Sequence, residues 1–252
     1  MALAFQSRPA LIAYLTCGDP DLAATRDIAL AAIEAGAEVI ELGVPFSDPV
    51  ADGPVIQRAS ERALKRKTTL ADVLGLAREL RRAKPRVGLI IFSYFNPVLR
   101  MGLERFAEAA ALAGVDGALI TDLTVEEADD YLSAMRERKL ATVFLAAPTS
   151  TDARLKRIAQ ASRGFVYAVS RTGVTGTRKQ VSTDARALVR RLRKFTKLPL
   201  AVGFGISTAG QFAEVGKFAD AVVVGSALVE LIERSPRQDV VKTVGEFISR
   251  LI

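Results

Sequence analysis

The fold is decided by two stretches near the C-terminus, LPLAVGFGIS (198–207) and DAVVVGSA (220–227). In each stretch a short apolar run is followed by glycine. A serine comes next, directly in the second stretch and four residues later in the first. This order is typical of a buried parallel strand and a loop in which glycine lets the backbone approach a ligand. Paired glycine-rich loops after the last two strands are the usual phosphate site of a (β/α)8 barrel, so both stretches favour that fold.

Six earlier apolar runs have the same character as the strands in these two stretches. Together they predict eight strands, at residues 10–15, 38–41, 88–92, 117–120, 141–145, 164–168, 200–202 and 221–224. Over 252 residues this spacing is roughly 31 residues per unit, as a (β/α)8 barrel requires. The sequence therefore predicts an α/β protein with one domain over residues 1–252, a single-domain (β/α)8 TIM barrel. An open doubly wound sheet is the competing fold, but no G-x-G-x-x-G motif follows the first strand.

Amphipathic patterns between the strands predict helices. The apolar stripe that ends before Gly36 suits a helix with a glycine C-terminal cap. For the later stripe through residues 188, 192 and 195, Ser182 or Thr183 is the predicted N-cap. The interval from Glu41 to Gly88 is too long for one βα unit, so we expect a functional loop or an extra helix there.

The composition excludes several kinds of chemistry. The chain has no histidine, which removes Ser-His-Asp triads, Cys-His pairs and histidine-rich zinc sites. Cys17 is the single cysteine; we interpret it as a packing residue in a protein of the reducing cytosol. No lysine stands at the end of a predicted strand, which disfavours a Schiff-base mechanism. We expect no metal, and acid/base work is left to carboxylates and tyrosines.

The charge pattern is that of a protein with solvated helix faces. The net charge of +7 comes from 35 basic and 28 acidic residues. The basic residues lie mostly on predicted helix faces with acidic residues among them, so we expect no nucleic-acid partner. No apolar run is long enough for a membrane span, and the first residues lack the pattern of a signal peptide. We therefore expect a cytoplasmic protein.

Glu41 ends the second predicted strand and is the first catalytic candidate. Strand alternation places it on the same face as Val39. Where that face lines the barrel interior, burial raises the pKa of the carboxyl toward the range of general acid/base catalysis. The alternative is a carboxylate paired with a cation at the barrel rim. Asp48 and Asp52 follow in a loop whose Asp-Pro and Asp-Gly-Pro are turn signals, and for Asp48 we prefer the turn.

Three glycine-rich loops are candidate ligand contacts. Gly205, and Gly225 with Ser226, follow the last two strands, where backbone N–H groups at a helix start favour an anion. Plain turn chemistry is the alternative for both. The GVTG loop (173–176) follows the sixth strand and Arg171; it is either a mobile lid or an ordinary exposed loop.

One long run gives the chain a recognisable resemblance. The residues ELGVPFSDPVADGP (41–54) closely resemble the signature of the tryptophan synthase alpha chain family. Shorter segments agree with that family in order, namely LTCGDP (15–20), YFNP (94–97), GVTG, GFGIS and GSA. The resemblance covers nearly the whole chain. It implies a lyase of tryptophan biosynthesis that cleaves indole-3-glycerol phosphate into indole and glyceraldehyde 3-phosphate.

The resemblance also implies partners and residue roles. It implies no cofactor in this chain and a partner beta chain that carries pyridoxal phosphate, in a heterotetramer of two alpha and two beta chains. Glu41 is then the acid/base carboxylate, Asp52 the indole-side carboxylate, and Tyr167 a tyrosine near the scissile bond. Arg171 and Thr175 belong to the lid, where Thr175 contacts Asp52. The implied phosphate contacts are Gly176, Gly205, Gly225 and Ser226, and the expected walls of the indole site are Tyr14, Phe92, Leu119, Leu145 and Phe204.

The chain departs from the family in three places. The segment before the first strand is short, so we expect the helix that closes the bottom of the barrel to be trimmed. Thr124 stands where many members have proline, in a loop expected to meet the partner. Phe92 and Phe95 are bulkier than the residues of some relatives.

Two other functions compete with the implied one. Another phosphate-binding barrel of indole or histidine metabolism, such as indole-glycerol-phosphate synthase, leads us to expect a catalytic lysine at a strand end, and none is found. A subunit that mainly binds and activates a beta chain is the non-enzyme alternative. The presence of both Glu41 and Asp52 argues against that alternative.

Overall fold

The computed structural model describes residues 5–169, 178–203 and 205–252, with the backbone alone for residues 178–182. Four predicted functional residues, Arg171, Thr175, Gly176 and Phe204, lie outside the described residues.

All eight predicted strands are present, and all are parallel. The strand segments are β1 Ala10–Thr16, β2 Ala37–Gly43, β3 Gly88–Ser93, β4 Gly117–Ile120, β5 Ala141–Val143, β6 Leu145–Ala146, β7 Val166–Val169, β8 Leu200–Gly203 and β9 Ala221–Val224. They form one sheet in the order β5-β4-β3-β2-β1-β9-β8-β7-β6. The sheet confirms the predicted barrel over the open doubly wound alternative.

The fifth predicted strand closes this barrel. It is divided at Phe144 into β5, which pairs with β4, and β6, which pairs with β7. Because one residue alone separates the two segments, the end members of the sheet are two halves of a single strand. The Phe144 carbonyl still accepts a hydrogen bond from the Tyr167 N–H at 3.1 Å, so the division leaves the closure intact.

Helices separate the strands over the described residues. They are α1 Leu22–Glu34, α2 Pro54–Lys65, α3 Leu70–Ala83, α4 Phe95–Met101, α5 Leu103–Leu112, α6 Asp129–Glu137, α7 Asp152–Ala161, α8 Arg178–Leu192, α9 Ala209–Gly216, α10 Ser226–Arg234 and α11 Val240–Ser249. None of the helices in these residues is long and apolar enough to cross a membrane.

The helix boundaries confirm some predictions and correct others. Gly36 follows α1 with a φ of 112°, as a glycine C-terminal cap requires, and α2 and α3 fill the long interval after β2. The predicted cap at Ser182 or Thr183 is wrong, because α8 already begins at Arg178. Gly205 is not at a helix start, because α9 begins four residues later and is capped by Thr208.

The barrel interior contains one face of each strand. Side chains from the strands and from the segments that lead into them form a buried apolar cluster there, including Ile12, Val39, Ile90, Leu119, Val143, Phe165, Ala201 and Val223. The opposite faces pack on the surrounding helices. Because Val39 faces the interior, strand alternation carries Glu41 to the same side at the carboxyl end of β2.

Candidate active site

Glu41 is a fully buried carboxyl group at the end of β2. Its relative exposure is 0%, and no described residue forms a hydrogen bond with either carboxyl oxygen. Burial raises the pKa of Glu41 to about 8, because the interior disfavours the charged form. The rim ion pair considered from sequence is therefore absent among the described residues, and Glu41 is a mainly protonated acid at neutral pH.

Two tyrosines lie beside Glu41 inside the barrel. Tyr14 is its register partner across β1 and β2, and Tyr167 is near enough that the charge of Glu41 adds to burial in raising the pKa of Tyr167. Each hydroxyl lies over a glycine of a neighbouring strand: a Cβ at Gly43 would overlap the Tyr14 hydroxyl, and a Cβ at Gly203 that of Tyr167. These glycines make room for two phenols at the end of the barrel where Glu41 lies.

Asp52 lies partly buried in the loop after β2. Burial raises the pKa of Asp52 to about 6, and a hydrogen bond from the Tyr94 hydroxyl opposes that rise. The Ala51 N–H donates to the same hydroxyl oxygen at 3.0 Å. Phe46 stacks on Tyr94 with ring centroids 5.0 Å apart. Tyr94 thus holds the loop that carries Asp52.

Tyr94 is a site residue that sequence reasoning missed. It appears in the YFNP segment but was given no role, because nothing in that segment shows its contact with Asp52. The available signal was its place directly after β3, where side chains of a barrel reach the active-site face. The neighbouring Asn96 is exposed.

Other acids after the strands have structural partners. Asp122 accepts a hydrogen bond from the Phe95 N–H at the first residue of α4, at 2.7 Å. Asp48 is exposed and accepts one from the Ser47 hydroxyl at 2.6 Å, so it makes a local loop contact, in keeping with the turn preferred from sequence. Among the described residues, no group of three or more acidic or cysteine side chains is placed to hold a metal ion.

The described members of the predicted indole site lie together in the barrel. Leu119 is fully buried, and Phe92, Leu145 and Tyr167 pack against the same interior cluster. Tyr14 meets Phe92 edge to face, with ring centroids 5.0 Å apart. The structure thus brings Tyr14, Phe92, Leu119 and Leu145 to the side of the barrel where Glu41 lies.

The two predicted phosphate loops differ in structure. Gly225 precedes α10, whose first residue is Ser226, and no described side chain caps that helix. Neither its φ of −118° nor the space around it requires glycine, since a Cβ would make only ordinary contact with Tyr14. Gly205 has a φ of 46° in open space, a conformation that by itself favours glycine. The backbone conformation by itself explains glycine at position 205, with or without a ligand, whereas neither φ nor local space explains it at position 225.

Comparison with known proteins identifies relatives of this chain. The family model described as tryptophan synthase alpha chain matches residues 1–249. The tryptophan synthase alpha chain of Solibacter usitatus is 56% identical over 230 residues, which cover 91% of this chain and 86% of the relative. That of Geobacter sulfurreducens is 47% identical over 249 residues, which cover 99% and 94%.

Solved structures give the same result. The tryptophan synthase complex of Pyrococcus furiosus contains a chain that is 39% identical, with a TM-score of 0.89 and coverage of 97% of this chain and 98% of that chain. The tryptophan synthase alpha subunit of Legionella pneumophila is 36% identical, with a TM-score of 0.89 and coverage of 96% and 91%. The chain therefore belongs to the tryptophan synthase alpha chain family.

Proposed function

We propose that Glu41 and Asp52 carry the cleavage of indole-3-glycerol phosphate in this chain. Membership of the family makes the chain a carbon–carbon lyase of tryptophan biosynthesis, the alpha subunit of tryptophan synthase. The observation that supports the residue assignment best is the buried, unpartnered carboxyl of Glu41, whose pKa of about 8 suits proton transfer near neutral pH.

One carboxyl group serves both proton transfers of this reaction. Protonated Glu41 gives its proton to C3 of the indole ring, and the ring nitrogen takes up the positive charge. The ionised carboxyl then accepts the proton of the side-chain hydroxyl next to C3. The bond between C3 and the side-chain carbon that bears this hydroxyl breaks. Its electrons return to the ring, and indole and glyceraldehyde 3-phosphate form. Glu41 ends in its starting protonation state, so no external acid or base is consumed.

Asp52 and Tyr167 act on the charge and the orientation of the substrate. With a pKa of about 6, Asp52 is largely ionised at neutral pH and stabilises the positive ring nitrogen or accepts its N–H proton. Tyr94 fixes the loop of this carboxylate. Tyr167, beside Glu41, contacts the substrate near the scissile bond. Tyr14, Phe92, Leu119, Leu145 and Phe204 enclose the indole ring.

The phosphate end of the substrate binds at the loops after β7, β8 and β9. The first N–H groups of α10, at Ser226 and the next residue, offer an anion site that benefits from the helix dipole. Gly225 lets the phosphate approach the backbone there. Gly205 and Gly176 supply further backbone contacts, and Arg171 and Thr175 belong to the lid that closes over the site.

The partner of this chain is the beta chain of tryptophan synthase, and we place it at the loops after β2 and β3. Val50 in the first loop is 85% exposed and Leu99 on α4 is 54% exposed. These two side chains offer apolar contact area to a partner at the two loops. In the proposed heterotetramer of two alpha and two beta chains, pyridoxal phosphate lies in the beta chain. The alpha chain family needs no cofactor itself, and we place this one-domain chain in the cytoplasm.

The test is release of indole from indole-3-glycerol phosphate by the purified chain. Glu41→Gln should lower kcat by at least about 100-fold, the usual scale for a lost general acid/base, while substrate still binds. Glu34→Gln, on the exposed end of α1, is the matched control and should retain parental kcat. A fully active Glu41→Gln enzyme refutes the assignment. Absence of indole release supports one of the two competing functions, because a synthase does not cleave indole-3-glycerol phosphate and a subunit that only activates a beta chain releases no indole by itself.

A further inference from the structure

Helix α2 is joined directly to the backbone of Asp52. The helix begins at Pro54, two residues after Asp52. The Gln57 side-chain amide donates to the Asp52 carbonyl at 2.8 Å, and the Gln57 N–H donates to the Gly53 carbonyl at 3.0 Å. A displacement of α2 therefore moves the residue that carries the indole-side carboxylate.

The same helix is paired with α10, whose first residue is Ser226. Arg58 donates to both carboxyl oxygens of Glu233 at 2.9 and 2.7 Å. Arg62 donates to Glu233 Oε1 at 2.6 Å. The hydrogen bonds from Arg58, followed by the charge and the hydrogen bond of Arg62, lower the pKa of Glu233 to about 2, so this carboxylate is ionised at neutral pH. The apolar contact between the helices is small and centres on Ala59 and Val229.

Arg62 holds a third element in addition. Its Nε and Nη2 donate to the two carboxyl oxygens of Asp19 at 2.8 and 2.7 Å. Asp19 follows β1, the strand that carries Tyr14, and is only 4% exposed. This bidentate geometry fixes the position and orientation of the Arg62 guanidinium relative to the Asp19 carboxylate. Arg62 thus connects the loop after β1, helix α2 and helix α10 through one rigid group.

We propose that Arg62 is a positioning residue that couples phosphate binding at α10 to the placement of Asp52. Phosphate bound at the first turn of α10 holds that helix, Glu233 transmits its position to Arg62, and α2 holds Asp52 in place. The indole-side carboxylate is therefore ordered when the phosphate end of the substrate is bound. This inference rests on the proposed function, because it needs the phosphate site at Gly225 and Ser226.

Hydrogen exchange with inorganic phosphate as the probe tests the coupling. In the parent, phosphate should slow exchange of the amides at residues 225–229 and also of those at residues 47–53. In Arg62→Gln it should slow exchange at 225–229 alone. Arg58→Gln removes the other link between α2 and Glu233 but leaves the three hydrogen bonds of Arg62 in place, so it should keep protection at 47–53 that Arg62→Gln loses. Arg62→Lys keeps the positive charge but lacks the planar guanidinium. Phosphate should therefore slow exchange at residues 47–53 less in Arg62→Lys than in Arg58→Gln.

Replacement of Arg62 also leaves the buried carboxylate of Asp19 without its ion pair, which lowers the stability of the folded protein. Two controls separate this effect from the coupling. Arg193→Gln removes one arginine partner of another mostly buried carboxylate, Asp220, and should keep the response at 47–53. The double variant Asp19→Asn, Arg62→Gln removes the unpaired charge and should regain stability without regaining that response.

Kinetics supply a second measurement. Arg62→Gln should lower kcat for indole-3-glycerol phosphate at least about tenfold, because misplacement of a catalytic group by even 1 Å is costly, while the affinity for inorganic phosphate changes little. Phosphate protection at 47–53 in Arg62→Gln or in the double variant overturns the inference. Protection at 225–229 but not at 47–53 in the parent overturns it as well. Absence of protection at 225–229 in the parent refutes the phosphate site itself, and with it the inference.

Discussion

The proposed chemistry depends on the different environments of two carboxyl groups, Glu41 and Asp52. Glu41 is fully buried without a hydrogen bond from any described residue, so its neutral form is favoured. Asp52 lies partly exposed and receives a hydrogen bond from Tyr94, so its pKa rises less. Two acids of similar intrinsic strength thus reach neutral pH in different states. This separation is what a proton donor and a charge stabiliser require.

The separation predicts a bell-shaped dependence of kcat/KM on pH. Activity should rise as Asp52 ionises near pH 6 and fall as Glu41 ionises near pH 8, because kcat/KM reports the free enzyme. Asp52→Asn should remove the acidic limb and keep the basic one. Asp48→Asn, in the same loop but exposed, should leave both limbs in place. An unchanged acidic limb in Asp52→Asn would show that another group titrates there.

The raised pKa of Glu41 also makes stability depend on pH. The pKa of Glu41 is about 8 in the folded protein and 4.5 in the unfolded chain. The contribution of this group to the free energy of unfolding is therefore fully present below pH 4.5. It is lost as the pH rises toward and through 8. Glu41→Gln removes the penalty of ionisation, and its free energy of unfolding should exceed that of the parent by about 3–5 kcal/mol at pH 9. At pH 5 the two proteins should differ little; urea titrations at both pH values measure this, and a constant difference would contradict it.

At the scale of elements, the helices after β8 and β9 are built differently. In α9, Thr208 and Gln211 form a reciprocal capping box that satisfies its first N–H groups. In α10, Gly225 occupies the N-cap position and no described side chain caps the helix. Uncapped N–H groups at a helix start attract anions. We therefore expect α10 to contribute more to phosphate binding than α9.

Ser226→Asp tests this difference. The new carboxylate should stabilise the folded protein by about 0.3–1 kcal/mol, because it complements the helix dipole. It should also repel the substrate phosphate and raise KM for indole-3-glycerol phosphate at least about tenfold, one factor of ten being about 1.4 kcal/mol. Ser226→Ala loses only the hydroxyl and should raise KM less. Thermal unfolding and steady-state kinetics measure both effects, and an unchanged KM in Ser226→Asp would place the phosphate elsewhere.

At the scale of the whole molecule, closure of the barrel brings together groups from opposite ends of the chain. Tyr14 on β1, Glu41 on β2 and Tyr167 on β7 meet because β6 completes the ring between β5 and β7. The loop that carries Asp52 follows β2 on the face of the barrel where these strands end. The beta chain is proposed to cover part of that face.

This arrangement predicts that the beta chain activates the alpha reaction. Docking at the loops after β2 and β3 should favour a closed state in which Thr175 hydrogen-bonds Asp52, which completes the site and excludes water. The isolated chain should have low activity, a cognate beta chain should raise it markedly, and the rise should be much smaller for Thr175→Val. Single-turnover indole release with and without beta chain measures this. Equal activation of both proteins would show that Thr175 is not the coupling element.

The sequence by itself determined the features that repeat locally. Short apolar runs predict the strands, and alternation predicts that Glu41 shares the interior face with Val39. The barrel follows from these patterns, because periodicity and strand order are properties of neighbouring residues. Whether the carboxyl is buried or paired with a cation at the rim did not follow from them, and the structure decided for burial. The family signature at 41–54 adds Asp52, which local chemistry reads equally well as a turn.

Only the tertiary structure decided the contacts between distant residues. It showed that Glu41 lacks a hydrogen-bonding partner among the described residues, that Tyr94 binds Asp52, and that Arg62 reaches a carboxylate 171 residues away. It also corrected the starts of α8 and α9, where glycine and serine had suggested other boundaries. Such contacts leave no local periodicity in the chain, because they arise only when barrel closure brings the strand ends and their loops to one face.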